Sequence, residues 1–134
     1  MALLAFSDGG SRNNPGEAGI GGVITREGAV VAEISEYLGI RTNNWAEYQG
    51  VIRVLETIIE RGFQSEPVEI RLDSKLVVEQ LNRNWKIKEP TLQPQAARAW
   101  ELIDQCTDVT LTHIPREKNK DADRLANEAM DKRC

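Results

Sequence analysis

The sequence predicts an α/β domain built on one sheet with mixed strand directions, and three observations carry that reading. Two short apolar runs, residues 2–8 (ALLAFSD) and 68–73 (VEIRLD), each end on an aspartate, and a long stretch of helical periodicity lies between them. Strands joined through such a crossover are usually parallel. Residues 18–26 and 29–38, split at Glu27 and Gly28, have the strand–turn–strand look of an antiparallel hairpin. Beyond residue 74, helical patterns enclose one further alternating segment.

The first run leads into Gly9-Gly10-Ser11-Arg12-Asn13-Asn14-Pro15-Gly16, all turn formers, so this strand is expected to end on Asp8. The hairpin then completes a three-stranded meander, with Val23, Val30 and Ile34 as its apolar positions. Over residues 44–61, Val51, Val54, Leu55 and Ile58 recur at helical spacing, and Gly62 stands where a helix should stop. Glu47 precedes Val51 by one turn and so falls on the inward stripe, where a Glu is unexpected unless it is paired or binds a metal.

Ser74 opens a short helix through Val77, Val78 and Leu81, and residues 85–89 (WKIKE) form a basic connection. Residues 91–105 read as a helix carrying Leu92, Ala96, Ala99, Trp100 and Ile103, and residues 108–115 alternate as a strand. In the last helix, residues 119–132, one side carries Ala122, Leu125, Ala126, Ala129 and Met130, with Asp123 beside it. The order is βββαβααβα, in one unit without repeat or linker.

A chain of 134 residues suits a single domain, here 1–134. Its formal net charge of −4 argues against a module that holds nucleic acid by charge alone. It argues less against an enzyme whose own acids are neutralised by bound metal. The apolar residues 2–6 are too few for a signal peptide or membrane span, so a cytoplasmic protein with no membrane partner is expected. Cys106 and Cys134 are too few for a disulfide framework or a zinc site and read as reduced and incidental.

Parallel strands would deliver Asp8 and Asp73 to the same sheet edge, where open α/β sheets bind their ligands. Glu47 and Asp123, each near a helix start, could converge there. Four carboxylates so close repel one another unless cations compensate them, and magnesium, which prefers oxygen ligands, does this well. A pair of such ions suits phosphoryl transfer. Each acid also has a local reading: turn former or helix cap for Asp8 and Asp73, dipole partner for Glu47, solvated surface for Asp123.

Four words occur in order along residues 7–126: Ser7-Asp8-Gly9-Gly10-Ser11 with Asn14-Pro15-Gly16; Thr42-Asn43-Asn44-Trp45-Ala46-Glu47-Tyr48; Leu72-Asp73-Ser74; and Asn119-Lys120-Asp121-Ala122-Asp123-Arg124-Leu125-Ala126. Together they resemble type 1 ribonuclease H, in the short form without a basic protrusion. The resemblance implies a ribonuclease H-like fold, with three antiparallel and two parallel strands in a five-stranded mixed sheet flanked by helices. It implies an acidic quartet of Asp8, Glu47, Asp73 and Asp123 holding two Mg2+ ions, with Mn2+ as a substitute. It selects Asp123 over Asp121, because the family's acid stands in a D-x-L-A word. The implied activity is endonucleolytic hydrolysis of the RNA strand of RNA/DNA hybrids, leaving 5′-phosphate and 3′-hydroxyl ends.

By the same resemblance, the Gly9, Gly10 and Ser11 backbone and the Asn43 and Asn44 side chains face the minor groove, where RNA 2′-hydroxyls are exposed. Asn14 and Thr42 match positions that hold a DNA-strand phosphate, although both also suit local turn and cap roles. Trp85, Lys86 and Lys88, in a segment beginning at Arg83, interleave bases with an aromatic as a strand-tracking surface would, with Arg98 near them; Trp85 equally suits core packing. The lone His113 lies inside a strand pattern and reads as structural, leaving Arg116 or Lys118 to assist the scissile phosphate as cations. Double-stranded RNA, which shares the A-like minor groove, stands as an alternative substrate, and a monomer is expected. A non-catalytic hybrid-binding module and a DNA-cutting nuclease of the same fold are the competing readings.

Overall fold

The computed structural model describes residues 2–133, so Cys134 lies outside the described residues. Five strands form one sheet in the order β3-β2-β1-β4-β5: β1 (Leu3–Ser11), β2 (Gly16–Arg26), β3 (Ala29–Arg41), β4 (Val68–Leu72) and β5 (Val109–His113). The first three are antiparallel neighbours, whereas β4 runs parallel to both β1 and β5. The helices are α1 (Asn43–Glu60), α2 (Lys75–Leu81), α3 (Gln93–Asp104) and α4 (Lys120–Lys132), with a 3-10 turn at Arg116–Lys118. The mixed sheet and the element order agree with the sequence.

Neighbouring residues on a strand face opposite sides of the sheet, and β2 shows what each side meets. A side chain added at Gly21 would point at the α4 backbone, and one at Gly22 would meet Val54 of α1. The sheet is therefore sandwiched, with α1 on one face and α4 on the other. Leu3, Ala5, Ile70 and Leu72 pack with Val51, Leu55 and Ile58 of α1, and α2 and α3 extend this core through Val77, Leu92 and Ala96. The expected stripe of α4 (Ala122, Leu125, Ala126, Ala129 and Met130) is buried. Among the described residues no helix is long and apolar enough to cross a membrane. Cys106 is a free thiol.

Two expectations change. The first strand does not stop at Asp8, because Gly9, Gly10 and Ser11 continue it by pairing with Ile20, Gly19 and Ala18. What stops there is the partnership with β4, whose last pair is Ser7 with Leu72. Gly9 reads as a turn former yet serves close packing, since a Cβ on it would sit 2.2 Å from the Ala46 carbonyl oxygen of α1. Val30, expected on an apolar face, is 57% exposed. Ile24 pairs with Ala32 but Thr25 pairs with Val30, so a bulge at Val31 reverses the alternation and turns Val30 away from the core.

The β2–α4 contact gives a direct test. A Cβ on Gly21 would lie 2.0 Å from the Ala122 carbonyl oxygen, where backbone must move. Gly21→Ala is expected to cost roughly 1–3 kcal/mol, the usual range for overpacking. Urea unfolding should show this as a lower midpoint at unchanged m-value.

Candidate active site

The parallel pairing of β1 with β4 sets the centre of the site. Asp8 and Asp73 each follow the last paired residues, Ser7 and Leu72, so they leave adjacent strands side by side. Glu47 descends from the first turns of α1, and its Oε1 accepts a 2.6 Å hydrogen bond from the Gly9 amide. Carboxylate oxygens of Asp8, Glu47 and Asp73 all lie within 4.8 Å of one another. The fourth acid arrives on α4, whose start is tied to β1 by the buried Asn119: its Nδ2 donates to the Ser7 carbonyl at 2.9 Å. Asp123, outside that trio, is within side-chain hydrogen-bonding reach of Asp8.

Burial and mutual repulsion dominate the electrostatics. Burial, then the charges of Asp73 and Asp123, push Asp8 up to about 7 from an ordinary 3.8. Burial, then Asp8 and Asp73, hold Glu47 well above the usual carboxylate range, and the Gly9 amide only partly offsets them. Asp73 is raised chiefly by burial, against the opposing charge of Arg116. Three clustered oxygen-donor side chains, each holding its proton more tightly than an ordinary carboxyl group, form a donor set suited to a hard divalent cation, which replaces those protons. The residues present thus fit a metal ion.

The acids sit in a cleft of about 550 Å³ that Gly9, Gly10, Ser11, Asn43, Asn44 and Arg116 also line. Asn43 Oδ1 accepts from the Ser11 amide at 2.7 Å, and Asn14 Oδ1 accepts from the Asn43 amide at 3.1 Å. Thr42 caps α1 by accepting from the Trp45 amide at 3.2 Å. The local roles of Asn14 and Thr42 are therefore real, and with Asn44 both residues also line a separate hollow. Trp85 and Lys86 line another hollow, with Trp100. Trp85 is 44% exposed and so is no core residue, and Lys88 is exposed on the same connection.

Several candidates fall elsewhere. Arg116 lies 3.7 Å from Asp123, but Lys118 lines a different hollow with Phe6 and Asp121. Their two-residue spacing in a 3-10 turn, with three residues per turn, sends them in different directions. Arg98 pairs with Glu56 at 3.2 Å and Glu101 at 2.5 Å rather than joining the Trp85 segment. His113 is exposed at the end of β5, where its charge acts on Asp73. Among the further residues that line the cleft, Asn127 Nδ2 donates to Asp123 Oδ1 at 3.3 Å, and Arg12 donates to the Asn127 carbonyl at 3.3 Å. One helical turn separates Asn127 from Asp123, so its place was readable from spacing. The contact of Arg12 joins residues 115 positions apart and left no sequence signal.

Residues 6–129 match the family model described as reverse transcriptase-like. Ribonuclease HI of Halobacterium salinarum is 44% identical over 128 residues, which cover 95% of this chain and 63% of that protein. A bifunctional protein of Mycobacterium tuberculosis is 41% identical over 98% of this chain and 36% of its own length. The chain thus spans less than two-thirds of these relatives. The crystal structure of LC11-RNase H1 in complex with an RNA/DNA hybrid superposes with a TM-score of 0.93 at 44% identity, covering 98% of both chains. Sequence, sheet topology and the likeness to these relatives agree: the chain belongs to the ribonuclease H family.

Proposed function

We propose that residues 1–134 form a single catalytic domain that hydrolyses the RNA strand of RNA/DNA hybrids endonucleolytically, leaving 5′-phosphate and 3′-hydroxyl ends. The observation that carries this reading is the convergence of Asp8, Glu47 and Asp73, from three separate elements, within 4.8 Å of one another in an open cleft. The hybrid bound to LC11-RNase H1 supports the substrate class.

In this reading Asp8, Glu47, Asp73 and Asp123 hold two Mg2+ ions, or Mn2+ in their place. Such ions supply a water made nucleophilic at neutral pH and charge stabilisation for the leaving 3′-oxygen. The chain's own groups do the rest. The Gly9 amide fixes one oxygen of Glu47 where this residue lines the cleft. Asn119 and Asn127 hold Asp123 against β1. The Gly9, Gly10 and Ser11 edge with Asn43 and Asn44 reads the minor groove, where 2′-hydroxyls distinguish RNA from DNA. Asn14 and Thr42 receive a phosphate of the DNA strand, and Trp85, Lys86 and Lys88 support the duplex further along. Arg116, beside Asp123 and unable to give up its proton, neutralises the scissile phosphate.

Matched hybrid, double-stranded RNA and DNA duplexes incubated with Mg2+ or Mn2+ test the reading: the hybrid is cut and the DNA duplex is not, while cleavage of double-stranded RNA reports whether the minor groove alone suffices. Hybrid binding in a chelator with no cleavage on adding metal would overturn it. Asp8→Asn and Asp123→Asn should each lower turnover by roughly 10²-fold or more, the scale of losing a preorganised charge-stabilising group. Arg116→Ala should lower turnover as well, and unchanged turnover would remove Arg116 from the machinery.

Titration gives an independent check on stability. A carboxyl group whose folded pKa is raised stabilises the fold fully below its ordinary value and loses that contribution as pH rises through the folded value. For Asp8 the window runs from 3.8 to about 7. Metal-free protein should lose melting temperature across it, and Mg2+ should restore several degrees above it. Asp8→Asn should flatten the pH dependence, raise the metal-free melting temperature at pH 8 and shrink the Mg2+ response.

A further inference from the structure

We infer that Glu89 tunes how tightly the protein holds the DNA strand of its substrate, by placing a fixed negative charge in the hollow that receives a backbone phosphate. The inference rests on the proposed function, which assigns that phosphate to Asn14 and Thr42. The hollow, of about 390 Å³, has Asn14, Thr42 and Asn44 on one side and Glu89, Thr91 and Leu92 on the other.

The first side is made to receive an anion. Asn14 Oδ1 and Thr42 Oγ1 already accept hydrogen bonds from the Asn43 and Trp45 amides. What remains for a ligand is the Asn14 amide N–H and the Thr42 O–H, both donors, at the positive end of the α1 dipole.

The opposite side carries the wrong sign. Glu89 is the one charged residue among those lining the hollow. Its carboxylate does not swing freely, because Oε1 accepts from the Thr91 amide at 3.3 Å and from the Thr91 hydroxyl at 3.2 Å. Arg41, adjacent to Thr42, lies over the Trp45 ring at 4.3 Å from its centroid instead of lining the hollow.

A phosphate bound by Asn14 and Thr42 would therefore share the hollow with a carboxylate. Two unit charges as close as about 4 Å interact in water by about 1 kcal/mol, so the effect on binding is at most roughly fivefold and shrinks with separation. Salt screens such exposed charges over about 8 Å at physiological ionic strength. The penalty falls equally on the bound ground state and the transition state, since none of the four acids lines the hollow. Such a uniform effect changes KM and leaves kcat alone. Glu89 is thus an affinity determinant that loosens the grip on the strand that is not cut.

The test uses the full chain with Mg2+ and steady-state cleavage of one hybrid over a range of salt. Glu89→Gln keeps an oxygen for Thr91 and removes the charge. It should lower KM roughly three- to fivefold at low salt with kcat unchanged, and the gain should fade as salt rises. Glu89→Lys should lower KM further and steepen the salt dependence by about one unit per added phosphate contact. On a hybrid whose DNA strand carries neutral methylphosphonates, Glu89→Gln should bring no gain. Unchanged or raised KM for Glu89→Gln at every salt, while Asn14→Ala and Thr42→Ala raise KM, would overturn the role of Glu89 and leave the phosphate hollow standing. Unchanged KM for Asn14→Ala and Thr42→Ala would overturn the phosphate assignment itself and the inference with it.

Discussion

The structure depends on the contact between the Gly9 amide and the Glu47 carboxylate. For that 2.6 Å hydrogen bond to form, α1 must lie against β1 almost backbone to backbone, closer than any side chain on β1 permits. Glycine at position 9 is therefore a packing requirement, and Gly50 repeats it one helical turn later, where a Cβ would meet Ser7 Oγ at 2.6 Å. The same approach buries Glu47 and brings it to Asp8, and the β1–β4 pairing adds Asp73 from the other side. One close contact thus sets both the sandwich thickness at this point and the spacing of three acids.

That spacing is costly without cations. Buried carboxylates that repel one another keep protons at a pH where exposed ones would not, and the fold carries this tension where α1 meets β1. The compensation is local: the Gly9 amide for Glu47, the Arg116 guanidinium for Asp73. Neither neutralises the cluster as a whole, so cation binding and stability are linked through the same atoms. The other charged pairs are partly or largely exposed, as in the group that Arg53 and Glu56 of α1 form with Glu36 of β3, where ion pairs contribute little.

Much of this was legible in the sequence because periodicity reports burial. The inward place of Glu47 followed from its spacing to Val51, and the shared edge of Asp8 and Asp73 followed from the crossover rule. The length of β1 was not legible, since Gly-Gly-Ser signals a turn unless the helix packed on it is known. The exposure of Val30 depends on a bulge that leaves no local mark. Lys118 and Arg98 were drawn toward the substrate face by charge alone, and only the turn geometry and the pairing with Glu56 and Glu101 separate them from it. Arg12 and Glu89 act through the distance they cover in space, which spacing along the chain does not record.

The tie from Asn119 to the Ser7 carbonyl spans 112 positions, nearly the full length of the chain. Closing so long a loop costs entropy that the packing of α4 on β1, β2 and β3 offsets. The carboxylate on α4 is therefore installed when the first and last elements meet, whereas the other three acids are set by β1, α1 and β4 alone. Asp123 joins the trio only where α4 is docked on β1, so completeness of the site and the docking of that helix are the same event.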